Sequence, residues 1–215
     1  MFKAILFDFD GVLAETFPWH IQAWRHVLLH DNLTPDEMTV KLHEGSPAWQ
    51  IAVALYRHAG VELDAHKAKE LAIKKNHVFQ KIQQARVYPE IIEILDKAHS
   101  VNMSAGIVTG TTLANITTVL PLGLPEKFAI IIKDGDTERG KPFPDPYLAA
   151  IEQLRISPAE CIVVENAPLG IRAAQAAGAF CVALQTTLNR EQLQGADVIY
   201  SNHRELAKAF FTLIK

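Results

Sequence analysis

The sequence predicts an α/β fold, a doubly wound Rossmann-like parallel sheet interrupted by an inserted all-helical domain. Three observations predict it. Six short apolar runs recur along the chain, most with room for a helix between them. The runs are near-continuous rather than alternating, as parallel strands covered on both faces must be. And the stretch from Gly11 to Tyr88 holds helical patterns but no strand pattern, and is far longer than an ordinary crossover.

The first run, KAILFD (3–8), opens the sheet and ends in acids at Asp8 and Asp10. The next runs are SAGIVTG (104–110), FAIIIKDG (128–135), CIVVEN (161–166), FCVALQT (180–186) and ADVIY (196–200). Helices fit between most of them. The segment 89–100 begins at Pro89, whose fixed φ suits a first helical position, and carries apolar residues at helical spacing. Segments 144–154, 167–178 and 203–215 follow the same logic. The insert reads as four helices, over 18–31, 34–44, 47–60 and 64–85. The chain leaves the sheet near Val12 to Glu15 and returns near Arg86 to Tyr88. Residues 1–14 plus 87–215 are therefore expected to form the α/β domain, and 15–86 the helical one.

Bulk composition narrows the function classes. The chain has 215 residues, 49% apolar, which suits a globular protein with a sizeable core. Net charge is −3 and no basic block stands out, so nucleic acid is not an expected partner. No apolar stretch approaches the roughly 20 residues of a membrane span, and MFKAILFDFD reads as a strand rather than a cleavable signal. The expectation is a cytoplasmic protein with no membrane partner; its oligomeric state is open, a monomer being the default. Cys161 and Cys181 each lie within an apolar run and read as small buried hydrophobes in a reducing compartment.

In open α/β sheets ligands bind beyond the carboxyl ends of the strands, so the residues following each strand are the candidates. Asp8, Asp10 and Gly11 follow strand 1; Thr109, Gly110, Thr111 and Thr112 follow strand 2. Asp134, Gly135 and Asp136 follow strand 3, with Lys141 in RGKPFPDP beyond; Glu165 and Asn166 follow strand 4. Each has a plainer reading alone: a turn or N-cap for Asp-x-Asp, a solvated surface Lys, a strand Thr, a capping Glu. Together, on one rim, they suit phosphoryl transfer through an aspartyl-phosphate. Asp8 is the candidate nucleophile and Asp10 the candidate general acid and base. Thr109 and the backbone N–H groups near Gly110 suit phosphate oxygens, and Lys141 suits charge on phosphate and carboxylate alike. A hard cation, Mg²⁺ above all, would compensate the clustered acids. A receiver domain carries a similar set but is shorter and has no helical insert after strand 1.

These segments resemble the four motifs of the haloacid dehalogenase superfamily, in its phosphatase and β-phosphoglucomutase-like branch: FDFDGVL, IVTGTT, RGKPFPDPY and VVENAPLGIRAAQAAG, in the family's order. The helical insert sits where that family has its cap domain. The resemblance implies that Asp8 is nucleophile and Mg²⁺ ligand, and that Asp10 is acid/base with its carbonyl on the metal. It implies that Thr109 and Lys141 bind the transferring group, and that Glu165 and Asn166 hold the metal. Asn166 departs from the family's usual acid there and brings no charge. The acid at Asp10 separates the chain from dehalogenases and phosphonate hydrolases, which lack it, and points to phosphate esters.

The cap resembles that of the β-phosphoglucomutases at Thr16, His20, Trp24 and Lys75, but its next loop, HEGSPAWQ, lacks the Arg with which those enzymes grip a second phosphate. Lys41 and Arg57 are the substitute cations within reach in sequence. The implied function is a Mg²⁺-dependent phosphatase of a small phosphorylated metabolite, a sugar phosphate being the expectation, with Gly110, Thr111, His20, Trp24 and Lys75 on the substrate. Two alternatives stand beside it: a β-phosphoglucomutase-like transferase, and a non-catalytic sensor of a phosphorylated metabolite.

Overall fold

The computed structural model describes residues 1–214. Six strands, β1 (Ala4–Phe7), β2 (Ser104–Val108), β3 (Ile130–Ile132), β4 (Cys161–Glu165), β5 (Phe180–Leu184) and β6 (Val198–Tyr200), form one sheet in the order β3-β2-β1-β4-β5-β6. Every neighbouring pair is parallel. β1 is central: Phe7 lies opposite Ile107 on one side and Val164 on the other. Alternation along the strands then builds two cores from continuous apolar runs. Ile5, Phe7, Ile107, Ile162 and Val164 face one layer, while Leu6, Val108, Val163 and Cys181 face the other. The buried side chains of Ile5, Leu6 and Phe7 each contribute roughly 1.5–3 kcal/mol through their removal from water. Both cysteines are free and buried, and burial pushes the Cys161 thiol up to about 12.

Helices α5 (Pro89–Ser100), α6 (Leu113–Val119), α7 (Asp145–Gln153), α8 (Pro168–Ala177) and α9 (His203–Leu213) flank the sheet, and α1 (Phe17–Leu28), α2 (Glu37–Leu42), α3 (Ala48–His58) and α4 (Ala65–Ile82) form the insert. The insert has a core of its own, centred on Trp24, Leu28, Ala52, Leu55 and Tyr56, with α4 packed against α1 and α3. Its two connections run side by side: Glu15 N–H donates to Arg86 O at 2.9 Å and Tyr88 N–H to Leu13 O at 3.0 Å. Among the described residues no helix is long and apolar enough to cross a membrane.

Several elements differ from the sequence expectation. α6 was not predicted: LANITTV is short and rich in β-branched residues, and Thr112 Oγ1 starts it by accepting from Asn115 N–H at 3.3 Å. β3 is shorter than 128–135 because Lys133 N–H leaves the ladder for Asp136 Oδ2 at 2.9 Å. α2 is shorter than 34–44. Asp36 caps its start by accepting from Thr39 N–H at 2.7 Å, and the chain turns away before Gly45 at φ +83°. The first insert helix ends at Leu28, followed by a 3₁₀ turn over Leu29–Asp31. The last expected helix reached Lys215, which lies outside the described residues.

Candidate active site

The carboxyl ends of β1, β2 and β4 meet the insert in two walls. The first belongs to the α/β domain. Asp8 follows the central strand and is fully buried. Lys141 sends its ammonium between Asp8 Oδ1 at 2.7 Å and Glu165 Oε1 at 2.6 Å, and donates its third N–H to Val108 O at 2.8 Å. Tyr147 backs this group: its hydroxyl donates to Glu165 Oε1 at 2.6 Å and its ring faces the ammonium at 5.0 Å. Burial alone would lower Lys141, but Asp8 and Glu165 outweigh it and hold the ammonium above its ordinary value. Burial raises Asp8 to about 7; Lys141 opposes that rise, and Glu165 and Asp10 add to it. The close packing of α8 requires Gly170, since a Cβ there would lie 1.8 Å from Glu165 Oε1.

The second wall belongs to the insert. Lys75 Nζ donates to His20 Nδ1 at 2.6 Å, and His20 Nε2 contacts Asp10 Oδ1 at 2.9 Å. With Nδ1 accepting from the ammonium, the ring is neutral and its Nε2–H donates to Asp10. Burial and Lys75 together push His20 down, consistent with that neutral ring. Burial acts to raise Asp10, yet His20, Thr16 and Lys75 outweigh it and keep its carboxyl below the usual range. Lys75 touches no carboxylate, so burial lowers it to about 8. Trp24 lies in the insert's core with its ring 5.6 Å from Lys75 Nζ and its Nε1 without a partner.

Between the walls, Thr109 Oγ1 accepts from Thr111 N–H at 3.1 Å, and Thr111 Oγ1 accepts from Asn115 Nδ2 at 2.9 Å. Gly110 lies under the insert's loop, where an added Cβ would sit 2.4 Å from Gly45 O. The pocket between Asp10, His20, Lys75, Gly110 and Thr111 has about 30 Å³ of free volume, room for little more than a water. Lys41 and Arg57 do not line it; Lys41 sits over the Phe17 ring, and Arg57 lines a separate surface cleft with Asp64.

Three site residues escaped the sequence reading. Glu44, in the insert's loop, accepts from Thr187 Oγ1 at 2.6 Å and from Asn166 Nδ2 at 3.3 Å, and Tyr147 holds Glu165. Tyr147 stands in RGKPFPDPY beside Lys141 and could have been suspected from that proximity; nothing local marks Glu44 or Thr187.

The oxygens suit a hard cation. Asp8 Oδ2, Glu44 Oε1 and Asn166 Oδ1 are buried and without a hydrogen-bond partner. Four buried acids, Asp8, Asp10, Glu44 and Glu165, stand against two buried amines, Lys75 and Lys141. Burial, with Asp10, Asp8 and Glu165 nearby, holds Glu44 well above the usual carboxylate range despite its bond from Thr187. Glu165 itself has its oxygens engaged by Lys141, Tyr147 and the Asn166 N–H at 3.1 Å. Among the described residues no three His, Cys, Asp or Glu side chains are grouped to hold a metal; the candidate donors are the free oxygens of Asp8, Glu44 and Asn166.

The family described as haloacid dehalogenase-like hydrolase matches residues 5–184. A fructose-1-phosphate phosphatase of Escherichia coli is 32% identical over 179 residues, covering 82% of this chain and 93% of that one. A β-phosphoglucomutase of Bacillus subtilis is 28% identical over 211 residues, covering 95% and 91%. The crystal structure of a β-phosphoglucomutase from Clostridium difficile superposes with a TM-score of 0.87 at 23% identity, covering 100% of this chain and 97% of that one, and shares the fold.

Proposed function

The chain belongs to the haloacid dehalogenase-like hydrolase family, and on that premise we propose that it is a Mg²⁺-dependent phosphatase of a small sugar monophosphate, acting through an aspartyl-phosphate on Asp8. The observation that carries this reading is the opposite treatment of two neighbouring acids. Asp8 is gripped by Lys141 on one oxygen and bare on the other, while Asp10 is held from the insert by His20.

In the first step the Asp8 carboxylate attacks phosphorus and the ester P–O bond breaks. Lys141 neutralises charge gathering between the carboxylate and the phosphoryl group. Asp10 gives its proton to the leaving oxygen. The arriving phosphate opposes ionisation of Asp10 and so returns to it the proton that His20 and Lys75 otherwise keep away. In the second step Asp10, again ionised, takes a proton from water, which attacks phosphorus and frees Asp8. Thr109, Gly110 and Thr111 lie where phosphate oxygens would be held. Asp8, the Asp10 carbonyl and Asn166 would hold the cation, with Glu165 behind them through Lys141. When bound, it supplies electrostatic neutralisation of the transferring group.

The free volume beside Asp10 is smaller than a sugar phosphate, and in this reading the cap opens to admit substrate and closes for chemistry. Among the described residues the sole Lys or Arg lining the pocket is Lys75, and it is committed to His20. No cation there is free to grip a second phosphate, and Glu44 would repel one. This supports hydrolysis of a monophosphate over transfer between the two ends of a bisphosphorylated sugar.

The test is release of phosphate from sugar phosphates, nucleotides and an aryl phosphate, with Mg²⁺, with a chelator, and with Asp8→Asn. Release that needs Mg²⁺ and vanishes in Asp8→Asn is the expected result. Conversion of β-glucose 1-phosphate to glucose 6-phosphate without net phosphate release would make the protein a mutase. Binding of these compounds without any turnover would make it a sensor.

A further inference from the structure

We infer that Glu44, carried by the cap, is an acid of this chain's cation site: it supplies the charge that Asn166 lacks and orients the Asn166 amide so that its carbonyl oxygen is the free donor. This rests on the cation site proposed above and extends it across the seam between the two domains.

Asn166 is fully buried at the end of β4. Its Nδ2 donates to Glu44 Oε2 at 3.3 Å and to Thr187 Oγ1 at 3.2 Å, and the Thr187 hydroxyl donates to the same Glu44 oxygen at 2.6 Å. This triangle decides which way the amide points. Turned over, it would set its carbonyl oxygen against the Thr187 hydroxyl, whose one proton is already given to Glu44, and would lose both donated bonds. Oδ1 of Asn166 is therefore directed away from Glu44, and it is left buried and unpartnered. Oε1 of Glu44 is bare as well.

A simple latch between cap and core would not leave that second oxygen bare. Closing a loop onto Thr187 takes one acceptor, which a Gln would supply without the cost of a buried charge. A carboxylate at 44 instead adds a negative charge beside an amide that has none. The loop is firmly placed for this role. Gly45 packs on Lys141, where an added Cβ would lie 3.1 Å from Cδ, and its carbonyl presses on Gly110. A charge that arrives with the cap has a consequence: cation binding and cap closure favour each other, because the full donor charge exists only in the closed form.

The test is Mn²⁺ binding followed by electron paramagnetic resonance, with Mg²⁺ titration calorimetry beside it. The proteins are the full chain, Asp8→Asn, Glu44→Gln, and Glu44→Gln combined with Asn166→Asp, each checked by its thermal melting transition. Glu44→Gln should weaken Mn²⁺ binding about 10- to 100-fold. The double variant, which returns the acid to position 166, should recover to within about threefold of the starting protein. Unchanged affinity in Glu44→Gln, with Asp8→Asn defective, overturns the inference and leaves the proposed function standing. A loss that the double variant does not recover, in a protein that melts normally, makes Glu44 a latch and also overturns it. A starting protein that binds no Mn²⁺, or binds it equally well without the Asp8 carboxylate, overturns both.

Discussion

Lys141 and Lys75 approach the site from opposite domains, and both are almost completely buried. Burial disfavours the charged form of each. Lys141 lies against two carboxylates and spends all three of its N–H groups, so its charge is held more firmly than in water. Lys75 reaches Asp10 only through the His20 ring and is lowered to about 8. Direct contact with a carboxylate decides the sign, not depth. The core wall is thus built around a fully engaged ammonium, with Asp8 Oδ2 left bare. The cap wall is held by a relay and by seam contacts that must part for substrate to enter.

The strongest test of that contrast is Lys141→Met. It leaves Asp8 and Glu165 buried without their cation, and stability should fall by about 3–5 kcal/mol in urea unfolding. A loss below about 1 kcal/mol would show that the cluster is not a paired unit.

Lys75 should act in the opposite direction. Its folded value near 8 lies below the ordinary 10.5, so the folded protein sheds this proton first and the unfolded chain binds more protons between those pH values. Stability should therefore rise with pH from about 8 to 10.5, by at most about 3 kcal/mol, and Lys75→Met should remove that rise. Denaturant unfolding at pH 7, 8, 9 and 10 in both proteins checks it, and parallel pH profiles would overturn it.

Gly110→Ala probes the seam itself. The new Cβ would meet Gly45 O at 2.4 Å, so the cap cannot seat fully. The expected result is a kcat/KM lower by roughly ten- to hundredfold, with stability changed by less than about 1 kcal/mol. A stability loss as large as that of Lys141→Met would place this contact within the fixed cluster instead. Gln83→Ala, which removes the exposed bond from Gln83 Nε2 to Thr118 O at 2.7 Å and the bond that Gln83 Oε1 accepts from Ala85 N–H at 2.9 Å, should cost only about 1 kcal/mol and change kcat by no more than about twofold.

The parallel sheet was legible because its signal is local. A run such as KAILFD states both its conformation and its burial on two faces, and the ends of such runs locate the rim. Asp8, Asp10, Thr109, Lys141, Glu165 and Asn166 were all nameable from that rule and from order along the chain, and the structure brings them to one rim. α6 was lost because seven residues with β-branched side chains carry too short a period. Glu44 was lost because HEGSP reads as any polar turn, and its meaning depends on where the cap loop lands.

The sequence by itself determined the class of sheet, the site of the insertion and the donors that follow each strand, since periodicity and order are properties of neighbouring residues. Only the tertiary structure decided how those donors are used: that Lys141 crosses 133 positions to Asp8, that Lys75 is separated from Asp10 by a histidine, and that Glu44 meets Asn166 across 122 positions. Charge state and hydrogen-bond satisfaction depend on what stands within a few ångströms, and those neighbours come from distant positions of the chain and, for Asp10 and Asn166, from the other domain.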